Sequence, residues 1–152
     1  MSLVDNLILN KTLRSAEIIR AFQKVKRSDF LPAEKRKLAE IDSPIALGYG
    51  QTNSQPSTVA FMLEMLEPEK GDKILDIGCG SGWTTALMAE IVGDEGKVYG
   101  IELIKALQFF AIANIKKYDY LDRGIVEILY KDGWQGLPDK APFNNILVSA
   151  AA

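Results

Sequence analysis

The sequence contains no histidine and a single cysteine, Cys79. The first absence removes the side chain that most often serves as general base near neutral pH. The second excludes an internal disulfide and, with the first, a zinc site built from the usual nitrogen and sulfur ligands. No metal is therefore expected. No apolar run approaches the ~18–20 residues that a membrane-spanning helix needs. The start, Met1-Ser2-Leu3-Val4-Asp5, lacks a basic stretch and carries Asp5 among its apolar residues, so no secretory signal is read and a cytoplasmic setting is expected. Basic excess is missing too. The formal net charge of −2 gives no support to nucleic-acid binding.

What is present is ordinary for a globular protein. Apolar residues at 47% and charged residues at 25% of 152 allow one domain with a real core. Ala16, Ile19, Phe22 and Val25 recur at helical spacing, which predicts a helix over 13–25 with Asn10 or Thr12 as cap. A charged segment, 33–40, predicts a short exposed helix, with Lys35-Arg36-Lys37 as a solvated face. Residues 41–56 are crowded with Gly, Pro, Ser, Thr and Asn and read as loop or short extended structure. A helix begins near Pro56 or Ser57, carries Val59, Met62, Leu63 and Leu66, and ends before Pro68.

From residue 73 the pattern alternates. Strand-like runs lie at 73–77, 97–101, 125–129 and 145–149; helical runs lie at 83–92, closed by Gly93, and at 103–117. This predicts an α/β fold with a mostly parallel, Rossmann-like sheet and helices on its faces. Residues 1–56 form an N-terminal helical segment and 57–152 the sheet core, as one structural domain.

The sharpest motif is Asp76-Ile77-Gly78-Cys79-Gly80-Ser81-Gly82, where an apolar strand runs through three alternate glycines into a helix. Glycine serves where a chain turns sharply or a ligand approaches the backbone, and the helix start offers free N–H groups. A dinucleotide fold would carry G-x-G-x-x-G, but Trp83 follows Gly82 and the third glycine comes one residue early. The G-x-G-x-G spacing, with an acidic residue two positions before it, is instead the pattern of Rossmann-like methyltransferases.

Two further elements lie where ligands sit in such folds, at the carboxyl ends of strands. Glu102, followed by Leu103, closes the second strand of the alternating region; it reads either as acceptor for two ribose hydroxyls or as an exposed strand-end carboxylate. Asp132, with Gly133 and Trp134, follows the third; it reads either as acceptor for an adenine amino group beside an apolar cover or as a turn residue before glycine.

Together these residues resemble the protein-L-isoaspartate O-methyltransferase family. The resemblance runs through Asp76–Gly82, Glu102, Asp132-Gly133-Trp134-Gln135-Gly136-Leu137-Pro138, Ala141-Pro142-Phe143 and Ile146-Leu147-Val148-Ser149-Ala150-Ala151. Its specific part is Gly48-Tyr49-Gly50-Gln51-Thr52-Asn53-Ser54-Gln55-Pro56, with Ala21–Val25 and Phe30-Leu31-Pro32 before it. The resemblance implies methyl transfer from S-adenosylmethionine, leaving S-adenosylhomocysteine, to the free carboxylate of L-isoaspartyl residues in damaged proteins or peptides. It implies Thr52 and Ser54 at the substrate. It implies Asp76, Gly78, Cys79, Gly80, Ser81, Gly82, Glu102, Leu103, Asp132, Gly133 and Trp134 at the cofactor. For Ser54 a helix cap ahead of Pro56 stands as the alternative.

The missing histidine agrees with this chemistry, because a carboxylate nucleophile is already ionised at neutral pH. Two residues depart from the family pattern: Asn53 replaces a usual apolar residue and Lys26 a usual proline, and both bear on substrate placement rather than on the cofactor. The family also continues past the fourth strand with a helix and further strands. A sheet of order 3-2-1-4 ending in 145–149 is expected, with an apolar edge open to self-association. The alternative function is a non-catalytic relative that binds a nucleoside or only self-associates.

Overall fold

A computed structural model describes residues 1–149; Ala150 and Ala151 of the resembling stretch lie outside the described residues. The chain begins with α1 (Leu3–Leu9) and α2 (Ala16–Lys24), followed by two 3-10 turns at Arg27–Phe30 and Ala33–Leu38. A hairpin of β1 (Ile45–Gly48) and β2 (Gln51–Asn53) precedes α3 (Pro56–Leu66). The alternating region is β3 (Lys73–Ile77), α4 (Trp83–Val92), β4 (Lys97–Glu102), α5 (Lys105–Ile115), β5 (Val126–Tyr130) and β6 (Asn145–Val148).

The four strands β5-β4-β3-β6 pair in that order, all parallel, as the expected 3-2-1-4 sheet. β3 is central, so its carboxyl end, Ile77, delivers the glycine loop between its neighbours. α4 buries nine of its ten residues, and this explains why its sequence is apolar all round rather than striped. It packs against α2 and β4.

The N-terminal region differs in detail from expectation. Residues 3–9 are helical, capped by a reciprocal pair in which Ser2 Oγ accepts from Asp5 N–H and the Asp5 carboxylate accepts from Ser2 N–H. Asn10 is the C-cap of α1, and the cap position of α2 is Ser15 rather than Asn10 or Thr12. A buried carboxylate, Glu64 of α3, receives Arg14 N–H at 2.6 Å, Ser15 N–H at 2.8 Å and Ser15 Oγ–H at 2.5 Å. This fixes the start of α2 on α3.

The segment over 41–56 contains the hairpin. Its tip, Gly48-Tyr49-Gly50, has three successive left-handed residues, at φ 91°, 57° and 69°. Two are glycines, which adopt that region without steric cost. Ile45 and Leu47 pack with Leu31, Ala39 and Leu107, seating the hairpin against α5. β6 bonds only β3 among the described residues, and its Ile146 and Val148 are half exposed. No described helix is long and apolar enough to cross a membrane.

Candidate nucleoside and methyl-transfer site

The glycine loop leaves β3 with Gly78, Gly80 and Gly82 at φ 76°, 56° and 93°. Gly82 has a second reason to lack a side chain. A Cβ there would lie 3.0 Å from Ile115 Cδ1 and 3.2 Å from Ala111 Cβ, so α5 packs directly on the loop. Gly78 and Cys79 N–H both donate to Ile101 O, at 2.9 and 3.0 Å, and Gly80 N–H donates to Glu102 Oε1 at 2.9 Å. The loop is thereby clipped to β4.

Glu102 is buried, not an exposed strand end. Its Oε2 accepts Ile104 N–H at 2.9 Å. Each carboxylate oxygen has two acceptor sites, so each retains one for a ligand. Leu103 beside it is 59% exposed and Trp134 is 85% exposed, two apolar side chains at the strand ends with surface to give to a flat ring. Asp132 is exposed; its Oδ1 accepts Trp134 N–H at 3.0 Å, an Asx turn, and its Oδ2 is free of protein partners among the described residues. Gly133 is required by space: a Cβ would come within 2.4 Å of Ile77 Cγ2.

Asp76 lies fully enclosed. Its Oδ2 accepts from Thr84 and Thr85 hydroxyls at 2.7 Å each, and its Oδ1 from Ser149 Oγ–H at 2.9 Å. Burial raises its pKa above the ordinary value of 3.8, against the pull of these three donors. Cys79 is also buried, and burial pushes its thiol well up, so it stays neutral and contributes backbone rather than a thiolate.

Thr52 and Ser54 come to the same place. A small cleft is lined by Thr52, Ser54, Gly78, Ser81, Thr84 and Ser149, among others. The cap of α3 is Gln55 and makes no side-chain capping bond, so the Ser54 hydroxyl is not engaged as a helix cap. Trp83 borders the cleft as well, and its indole N–H is the one buried side-chain nitrogen or oxygen without a partner among the described residues. A larger cavity, about 300 Å³, is lined by Trp83 together with residues of α1 and α2; none of Glu102, Asp132 or the glycines lines it.

Sequence reasoning missed Arg27, which is buried and makes no ion pair with a carboxylate among the described residues. Its guanidinium donates to Ala39 O, Ile41 O, Ser43 O, Ser54 O and Asn53 Oδ1, at 2.7–3.3 Å. Burial lowers its pKa to about 10. No local pattern announces it, since its partners lie 12 to 27 residues away. Lys26, where the family has proline, uses the N–H that proline lacks: it donates to Tyr118 Oη at 2.9 Å.

Residues 1–152 match the family described as Protein-L-isoaspartate(D-aspartate) O-methyltransferase (PCMT). The chain belongs to this family. It is 41% identical over all its residues to the protein-L-isoaspartate O-methyltransferase of Aeropyrum pernix, spanning 58% of that protein, and 43% identical to that of Ignicoccus hospitalis, spanning 70%. It therefore spans about three fifths to seven tenths of the length of these relatives. Among solved structures it resembles a Plasmodium falciparum protein assigned as a protein-L-isoaspartate O-methyltransferase and crystallised with S-adenosyl-L-homocysteine. That TM-score is 0.88 at 26% identity, over 99% of this chain and 72% of the other.

Proposed function

We propose that this chain carries S-adenosylmethionine-dependent methyl transfer to the free carboxylate of L-isoaspartyl residues in damaged proteins. The observation that carries the reading is the shared cleft, which Thr52 and Ser54 line together with Gly78, Gly80 and Ser81 of the glycine loop. The relatives' names and the complex of the Plasmodium protein support it.

The residues present fit the cofactor. A buried carboxylate with spare acceptor sites at Glu102 suits a ribose diol, and exposed Leu103 and Trp134 suit an adenine ring whose amino group Asp132 Oδ2 can accept. The glycine loop and the first-turn N–H groups of α4, which have no intrahelical acceptor, suit the amino-acid end. Bound S-adenosylmethionine supplies a methyl group on positively charged sulfur, which departs as a neutral thioether when the carboxylate oxygen takes the methyl.

The chain's own work is positional. The substrate carboxyl has a pKa of about 4 and needs no base, in keeping with a site that lacks histidine. Thr52 and Ser54 hydroxyls donate to that carboxylate and aim one oxygen. Asp76 acts as a strut: by holding Thr84, Thr85 and Ser149 it sets the loop's shape without touching the ligand. Alignment and water exclusion supply the rate. The partners are isoaspartyl proteins and peptides in the cytoplasm, without nucleic acid. Self-association along β6 is the second reading, favoured by exposed Ile146 and Val148.

Labelled methyl transfer to an isoaspartyl peptide and to its aspartyl twin tests this. The expected result is a base-labile ester on the isoaspartyl peptide alone. Equal labelling of both, or none with a folded chain that binds S-adenosylhomocysteine, would overturn it.

A further inference from the structure

Asn53 is buried, and both ends of its amide are hydrogen-bonded. Its Oδ1 accepts Arg27 Nε–H at 2.7 Å, and its Nδ2 donates to Ser81 Oγ at 3.2 Å. The orientation of this amide is dictated. Arg27 can only donate, so the oxygen must face it and the NH₂ must face Ser81. Ser81 lies in the glycine loop, and its carbonyl accepts Asn114 Nδ2–H at 3.0 Å.

The consequence reaches both halves of the cleft. Arg27 holds Asn53 and the Ser54 carbonyl with one planar group, so the β2 end that carries Thr52 and Ser54 is rigid. Because Ser81 Oγ accepts from Asn53, its own proton must go elsewhere. No acceptor for it exists among the hydrogen bonds of the described residues, and Ser81 lines the cleft. The hydroxyl is thus set as a donor toward whatever carboxylate or hydroxyl occupies that end.

We infer that Asn53 is a positioning residue: through Ser81 it couples the substrate hairpin to the cofactor loop, so that ordering one half of the site favours binding at the other. The inference rests on the methyltransferase reading for its ligand. The link itself is a property of the fold. An apolar residue at position 53 would pack but transmit nothing, and it would leave Arg27 Nε buried without a partner.

The test compares the full chain with Asn53→Leu, Ser81→Ala and the double variant. Hydrogen exchange is followed by peptide, and S-adenosylhomocysteine affinity by calorimetry. Asn53→Leu is expected to speed exchange in residues 78–82 as well as 45–54, and Ser81→Ala, which removes one hydroxyl and spares the core, to speed it in 51–54. Asn53→Leu should weaken the nucleoside by about five- to thirtyfold, and by less than about threefold when Ser81 is already Ala. Exchange changes confined to the mutated side, or losses that simply multiply in the double variant, would overturn the link. A folded wild-type chain that binds no S-adenosylhomocysteine would sink the methyltransferase reading instead. The exchange comparison needs no ligand and would still decide the link.

Discussion

Replacing Asp76 separates a strut from a ligand contact. The carboxylate is enclosed and receives three hydroxyl protons, from Thr84, Thr85 and Ser149. Asp76→Asn keeps the shape: one amide oxygen can still accept from both threonines, while the NH₂ can donate to Ser149 Oγ. It also removes a charge that burial disfavours, so stability should change by less than about 1 kcal/mol. Asp76→Ala strands the hydroxyls. Thr84 and Thr85 sit in the first turn of α4, with no helical turn before them whose carbonyls could take over, so the loss is expected at about 2–4 kcal/mol. The pH dependence has a definite sign. A carboxyl whose pKa is raised on folding binds more protons folded than unfolded, so its contribution is fully present below the ordinary 3.8 and falls as pH climbs through the raised folded value. Asp76→Asn should therefore gain on wild type across that window and hold a constant advantage above it. Urea unfolding from pH 3.5 upward reads both quantities, and calorimetry adds S-adenosylhomocysteine affinity, expected within about threefold of wild type for Asn. The reasoning is refuted if Asn costs as much as Ala, or if it abolishes nucleoside binding in a stable fold.

Other substitutions test the remaining parts. Gly133→Ala should lower stability by about 1–3 kcal/mol, because its Cβ would meet Ile77 Cγ2 at 2.4 Å; the penalty should shrink in an Ile77→Ala background, as thermal melts would show. Glu102→Ala should leave a folded chain with S-adenosylhomocysteine affinity down by about ten- to a hundredfold, the worth of a charged hydrogen bond; unchanged affinity would remove its role. Ser54→Ala should cut kcat/KM for an isoaspartyl peptide by roughly five- to thirtyfold while nucleoside affinity stays within about twofold; equal loss of both would make Ser54 a structural residue.

Local periodicity made most of the fold legible. β3 and α4 have the expected bounds, because an apolar run into alternate glycines has few other conformations, and the parallel sense of the sheet followed from helices alternating with strands, whereas its 3-2-1-4 order came with the family resemblance. α1 escaped because seven residues are too few for a periodic signal, although Ser2 and Asp5 form a capping box that could have been read. The short extended structure expected over 41–56 is present as β1 and β2, but their pairing as a hairpin was not legible, because its tip is built from backbone conformation at Gly48, Tyr49 and Gly50, not from an alternating pattern. At the site, motif residues came together as expected, while the groups that hold them did not announce themselves. Arg27 meets Asn53 across 26 residues, and Asp76 meets Ser149 across 73. Such pairings are created by the fold and have no spacing signature. Asn53 was expected to bear on substrate placement alone, but its amide also reaches the cofactor loop.

The central claim is that the glycine loop, Glu102 and the Asp132 turn together form a nucleoside site. Calorimetric titration of the folded chain with S-adenosylhomocysteine, beside Glu102→Ala, tests it most directly. The account predicts saturable binding of one ligand per chain, weakened by the substitution. A folded chain that takes up no ligand, or one whose affinity ignores Glu102, would contradict it.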